Sequence, residues 1–163
     1  MAPATIAGES LEPGESKSYT VTLSGMVDPA EAGADNTFAV KYDVTVENIG
    51  KTAGAVPAVT DTPTLATGFT VTRVQLGTAT DLTADAKGVY TLLDGGALTL
   101  GAGKSQTLQV TVYGTVDPQT ADWTAAGTCD TTGAGTPTKG LFNKVDMTGD
   151  TDGPDNNDAC APL

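Results

Sequence analysis

Apolar and polar residues alternate at period two along much of the chain. Between Ser18 and Leu23 the apolar set is Tyr19, Val21 and Leu23, and between Phe38 and Val46 it is Phe38, Val40, Tyr42, Val44 and Val46. Successive side chains of a strand point to opposite faces, so each run predicts a strand with one buried face. Shorter runs of the same kind cover 56–62, 69–76, 89–93 and 97–100. Two more cover 107–116, with Leu108, Val110 and Val112 inward, and 141–147. Asn48-Ile49-Gly50, Asp94-Gly95-Gly96 and Gly101-Ala102-Gly103 separate them with residues that tolerate positive φ in turns. About seven to nine short strands between turn signals predict an all-β fold, an antiparallel two-sheet sandwich, with a closed barrel as the alternative. Helical periodicity is absent from every long window. The best helical candidate is one turn at Asp28-Pro29-Ala30-Glu31-Ala32, where Asp can cap and Pro can occupy the first helical position.

One stretch of text occurs twice. Leu11 to Thr22, running on to Val27-Asp28-Pro29, is echoed in constant register by Leu100 to Thr111, running on to Val116-Asp117-Pro118. Each copy is a glycine turn, a strand and an Asp-Pro turn. The echo divides the chain into residues 1–35, a tail and strand, and residues 36–163, the main domain. The first part is either the domain's own edge strand or the closing strand of a preceding repeat.

Charge and composition then remove function classes. Eight Lys and Arg stand against 20 Asp and Glu, a net charge of −12, so there is no positive surplus to neutralise phosphates or anionic lipid. The chain has no histidine, the commonest general base and metal ligand. None of the serines lies in a Gly-x-Ser-x-Gly context, and an enzyme is not expected. No apolar run approaches the roughly 18 residues that span a bilayer. The 20 glycines and 9 prolines suit a turn-rich β protein. The two cysteines, Cys129 and Cys160, lack Cys-x-x-Cys spacing and read as a structural disulfide, which implies an oxidising compartment. Two unlinked thiols are the alternative.

Tyr42 to Gly50, then Val59-Thr60-Asp61-Thr62-Pro63, then Leu100 to Gly114, then Gly140-Leu141-Phe142-Asn143-Lys144-Val145 resemble the successive strands of the immunoglobulin-like repeats of large bacterial surface proteins. The ending Asp155 to Leu163, with Cys129 upstream, is similar to the actinobacterial version, which carries a cysteine pair near its C-terminal end. The resemblance covers about residues 36–163. It implies a non-catalytic stalk or adhesive module of a secreted, cell-surface protein. Its partners would be neighbouring repeats of the same parent chain and, in an adhesive role, a host or environmental glycan or protein. A glycan- or protein-binding module is one alternative. A fibre subunit that donates its N-terminal strand to the next copy is another.

Four groups of residues carry candidate chemistry. Asp146, Asp150, Asp152, Asp155 and Asp158 crowd one stretch with Asn156 and Asn157, a set of hard oxygen donors that suits Ca²⁺. The EF-hand spacing fails, because Thr148 stands at the first-ligand position and Ala159 at the bidentate one, and a solvated acidic loop is the plainer reading. Asn143 alternates with Leu141, Val145 and Met147 and therefore faces inward, where its amide must be hydrogen-bonded. An intramolecular Lys–Asn isopeptide would use Lys17, which shares a face with Tyr19 and Val21, with Asp61 or Glu47 as the carboxyl group; Lys41 lies on the other face of its strand. Trp123, the single tryptophan, either packs against the disulfide, caps one end of the core, or stacks on a sugar. Finally, the pairs Thr20/Thr22, Thr60/Thr62/Thr64 and Thr70/Thr72 offer a hydroxyl face for glycan or ice, although threonine is also simply a good strand former.

Overall fold

The structure, a computed structural model, describes the backbone of residues 19–27 and the whole of residues 36–129, 139–150 and 157–162. In order, the elements are β1 (Tyr19–Val27), β2 (Thr37–Asn48), β3 (Gly54–Ala55), β4 (Val59–Leu65), β5 (Phe69–Leu76), β6 (Thr80–Leu82), β7 (Tyr90–Leu93), β8 (Thr99–Leu100), β9 (Lys104–Val116), α1 (Trp123–Ala126), β10 (Leu141–Met147) and β11 (Asp158–Ala161). One sheet has the order β1-β2-β9-β5-β6 and a second the order β11-β10-β4-β7, with β3 and β8 forming a small pair. All pairings are antiparallel.

The period-two pattern is what closes the two sheets on each other. Val40, Tyr42, Val44 and Val46 of β2 and Val110 and Val112 of β9 are fully buried, as are Val74 of β5, Val59 of β4, and Leu141 and Val145 of β10. On the other face of β10 Lys144 and Asp146 are exposed, while Phe142 is buried there. Each fully buried valine contributes about 1.5–3 kcal/mol relative to leaving it exposed. The fold therefore rests on the long strands rather than on β3, β6 or β8. At Gly114 of β9 a Cβ would run into the Phe38 ring and the Thr70 carbonyl, so the glycine lets β2, β5 and β9 close around the ring.

The predicted strands at 38–46, 69–76, 107–116 and 141–147 are present, the first and third extended to Thr37–Asn48 and Lys104–Val116. Val56 lies outside a strand, its N–H bonded to the Leu98 carbonyl at 2.7 Å, and the strand expected from 56 begins at Val59. Three features differ from expectation. β6 is made by its pairing with β5 and carries only one apolar residue, Leu82. β11 arises inside the acidic text because β10 offers it a partner edge. The helical turn is α1, where the Asp122 carboxylate accepts a bond from Ala125 N and so satisfies an open helix N–H. The turn expected at 28–32 lies outside the described residues.

The ladder registers define two ends of the molecule. Tyr19 of β1 and Lys104 of β9 both pair with Asn48 of β2, which places them at one end. At the other end Thr37 pairs with Thr115 and Phe69 with Val116, and the short turn from Leu65 to Phe69 brings the end of β4 alongside. Leu141 pairs with both Leu65 and Ala161, so β11 also finishes there. The chain thus enters the described fold at the Asn48 end and leaves it at the Phe69 end. The two copies of the repeated text, in β1 and β9, flank β2 on either side. Their registers differ: Tyr19 pairs with Asn48, whereas its counterpart Leu108 pairs with Val44.

Candidate functional site

The exit strand is covalently held. Cys160, in β11, is bonded to Cys129, just past α1, with a Cα–Cα distance of 5.5 Å and a sequence separation of 31. The bond lies directly over Gly140, whose φ is +69° and where a Cβ would fall on Cys160 Sγ and 3.1 Å from Cys129 Sγ. Only glycine combines that backbone conformation with that clearance. Gly140 N–H donates to the Ala125 carbonyl at 2.7 Å, and its own carbonyl accepts from Ala66 N at 3.2 Å. Gly140 therefore ties α1, the end of β4 and the start of β10 together beneath the disulfide. A glycine immediately before the last long strand was visible in the sequence, but its relation to the cysteines was not.

A second locus is buried between the sheets. Asp61 of β4 and Asn143 of β10 are both fully buried, and Asn143 Nδ2 donates to Asp61 Oδ1 at 2.6 Å. They sit diagonally across the ladder, since Asn143 pairs with Pro63 and Asp61 with Val145. Among the described residues, Asp61 Oδ2 and Asn143 Oδ1 have no hydrogen-bond partner. Asn48, another buried amide, makes three bonds: its Nδ2 donates to the carbonyls of Thr52 and Leu100, both at 2.9 Å, and its Oδ1 accepts from Gly50 N at 3.0 Å. Burial pushes the Asp61 carboxyl up to about 7, against a smaller downward pull from the Asn143 bond. Tyr42 of β2 donates its hydroxyl to the Leu141 carbonyl at 2.9 Å, bridging the two sheets. Its phenol is pushed upward by burial first and then by the negative charge of Asp61, and Tyr90 of β7 is raised by the same two causes. Tyr42 was legible as an inward residue; its reach to the opposite sheet was not.

The remaining candidates are dispersed. Lys17 of the expected isopeptide lies outside the described residues, and Glu47 is on the other face of β2 from the core, paired in register with Thr20 and Ser105. Of the five acidic residues considered for Ca²⁺, Asp152 and Asp155 also lie outside the described residues. Asp146 is ion-paired to Lys144 Nζ at 2.7 Å, Asp150 accepts from Asn157 Nδ2 at 2.6 Å, and Asp158 stands opposite Lys144 in the ladder. Among the described residues no three acidic or sulfur ligands converge on one point. Trp123 is 54% exposed and stands edge-on to Phe69 at 5.7 Å, which in turn meets Phe38 at 5.8 Å. It covers the Phe69 end of the core. The threonine sets divide between the sheets, Thr20 and Thr22 on β1 and Thr70 and Thr72 on β5 of the larger one, and Thr60, Thr62 and Thr64 on β4 of the smaller.

A shallow open groove is lined by Thr37, Phe38, Thr72, Arg73, Tyr113 and Gly114. Arg73 and Tyr113 are engaged with one another and with close neighbours. The Arg73 guanidinium lies 3.9 Å above the Tyr113 ring, the Tyr113 hydroxyl donates to Gln75 Oε1 at 3.3 Å, and Gln75 Nε2 donates to Asp81 Oδ1 at 3.1 Å. The arrangement covers the ring face on which a sugar would stack. Neither a protein-family model, nor a curated protein, nor a solved structure matches the chain.

Proposed function

We propose that the chain is a non-catalytic, disulfide-clamped spacer module of a secreted, cell-surface bacterial protein, with an immunoglobulin-like arrangement of its two sheets. The observation that carries this reading is the placement of entry and exit at opposite ends, with the exit strand clamped. Tension on the two ends pulls β1 and β11 along their own axes. A sheared strand loads all of its ladder bonds together, whereas a peeled one loses them in turn. β1 resists with a nine-residue ladder on β2, but β11 has only four residues on β10. The disulfide bypasses that short ladder. Force arriving at Cys160 passes to Cys129 and back through α1 toward β9, the middle strand of the larger sheet. A disulfide of this kind fits an extracellular setting, and the acidic surface fits solubility at high local density.

Pulling single molecules by their two ends tests the reading. The oxidised module is expected to unfold at higher force than the reduced one. It should also lengthen by about 100–110 Å less, because the residues between Cys129 and Cys160 stay closed off at roughly 3.3–3.6 Å each. Equal forces in the two states would remove the load path. A binding module is the second reading, favoured by the half-exposed Trp123 at the exit end, where a ligand or a neighbouring module would meet it.

A further inference from the structure

The two unpartnered oxygens, Asp61 Oδ2 and Asn143 Oδ1, belong to side chains already joined through their other atoms. A single proton accounts for both. Asn143 Nδ2 already donates to Asp61 Oδ1, and a proton on Asp61 Oδ2 would give Asn143 Oδ1 a donor, so that acid and amide each give and accept one hydrogen bond. Without that proton, two acceptors are buried with no donor, a costly state in an apolar core. We propose that Asp61 is a neutral carboxylic acid in the folded module, closed onto Asn143 by two hydrogen bonds, and that the stability contributed by this pair is greatest in acid. The inference stands independently of the spacer reading.

The surroundings agree with a neutral group. Among the described residues, the titratable groups facing Asp61 are Tyr42 from β2 and Tyr90 from β7, both acids that its negative charge would disfavour further. The Tyr42 proton is committed to the Leu141 carbonyl. Val74 of β5 and Val110 of β9 are apolar members of the same buried core, and β11 places Ala159 opposite Asn143. On β10, Lys144 is on the exposed face and bonded to Asp146, while Lys41 of β2 alternates with the buried Val40 and Tyr42. Burial accordingly lifts the carboxyl to about 7, from an ordinary value near 4 in the unfolded chain. Between those two values the folded state holds a proton that the unfolded state has released. Stability from this pair is fully present below about pH 4, falls as the pH rises and levels off above about pH 7.

The test compares the wild type with Asp61→Asn in urea denaturation from pH 4 to pH 8. An asparagine at this position can make the same two hydrogen bonds to Asn143 without titrating. The ratio of the two proteins' folding constants is expected to shift in favour of the variant as the pH rises, by up to about a thousandfold across the window. A constant ratio would overturn the proposal. Should the variant fail to fold, the carboxyl carbon of Asp61 in the wild type, followed by NMR, gives the same answer. A midpoint near 7 supports the neutral pair and one below 4 overturns it. A protein lighter by one ammonia and cross-linked at Asn143 would also overturn it, because a lysine Nζ would have bonded to the Asn143 side-chain carbonyl carbon and displaced the amide nitrogen as ammonia.

Discussion

Replacing Cys129 and Cys160 together by serine is expected to lower the stability of the module by about 3–4 kcal/mol. The estimate follows from the entropy that a closed loop of this length removes from the unfolded chain. For a chain of this size the loss corresponds to a fall in Tm of roughly 6–16 °C. Urea denaturation at fixed pH, compared with the oxidised wild type, measures it. The effect should be uneven in space. β11 contributes four residues to the sheet edge and is held there by Cys160 and two small buried side chains, Ala159 and Ala161, so its amides should lose hydrogen-exchange protection first, while those of β2 and β9 keep theirs. A change below about 0.5 kcal/mol would mean that β11 is secured by packing alone.

Removing Asn143 should have an effect of similar size for a different reason. Asn143→Ala leaves Asp61 buried without the partner that Asn143 provides and opens a small cavity between β4 and β10, at an expected cost of about 2–4 kcal/mol near neutral pH. The denaturation midpoint should fall with little change in slope, since the surface exposed on unfolding is nearly the same. A cost within about 0.5 kcal/mol, typical of a surface substitution, would show that the pair does not hold the two strands together.

The long strands could be read from the sequence because each has one dry face and a second face that is largely wet, Ala39, Thr111 and Phe142 being its buried exceptions. In β10 the alternation alone puts Asn143 with Leu141, Val145 and Met147, and in β4 it puts Asp61 with Val59. What alternation cannot give is the partner. Asp61 and Asn143 are 82 residues apart and meet because β4 and β10 pair in one particular register, which depends on the whole core. The same reason hides β11. Its Asp-Ala-Cys-Ala text has little strand preference and becomes a strand only against β10, with the disulfide beside it. α1 is too short for periodicity to register, although Asp122 before it and Gly127 after it are cap residues that a search for single turns would have found. For Trp123 the end of the core was one of the places the sequence offered, but its position over Phe69 depends on how the chain turns after β9.

The clamp is the premise on which the load path rests, and the intact mass of the oxidatively refolded protein tests it most directly. The account predicts a mass lower than that of the sequence by the two hydrogens of one disulfide, restored in full by denaturation with reductant. A protein with the full mass before reduction would contradict the account, since Cys160 would then pass no force to Cys129 and the four-residue β11 would be the first element to yield.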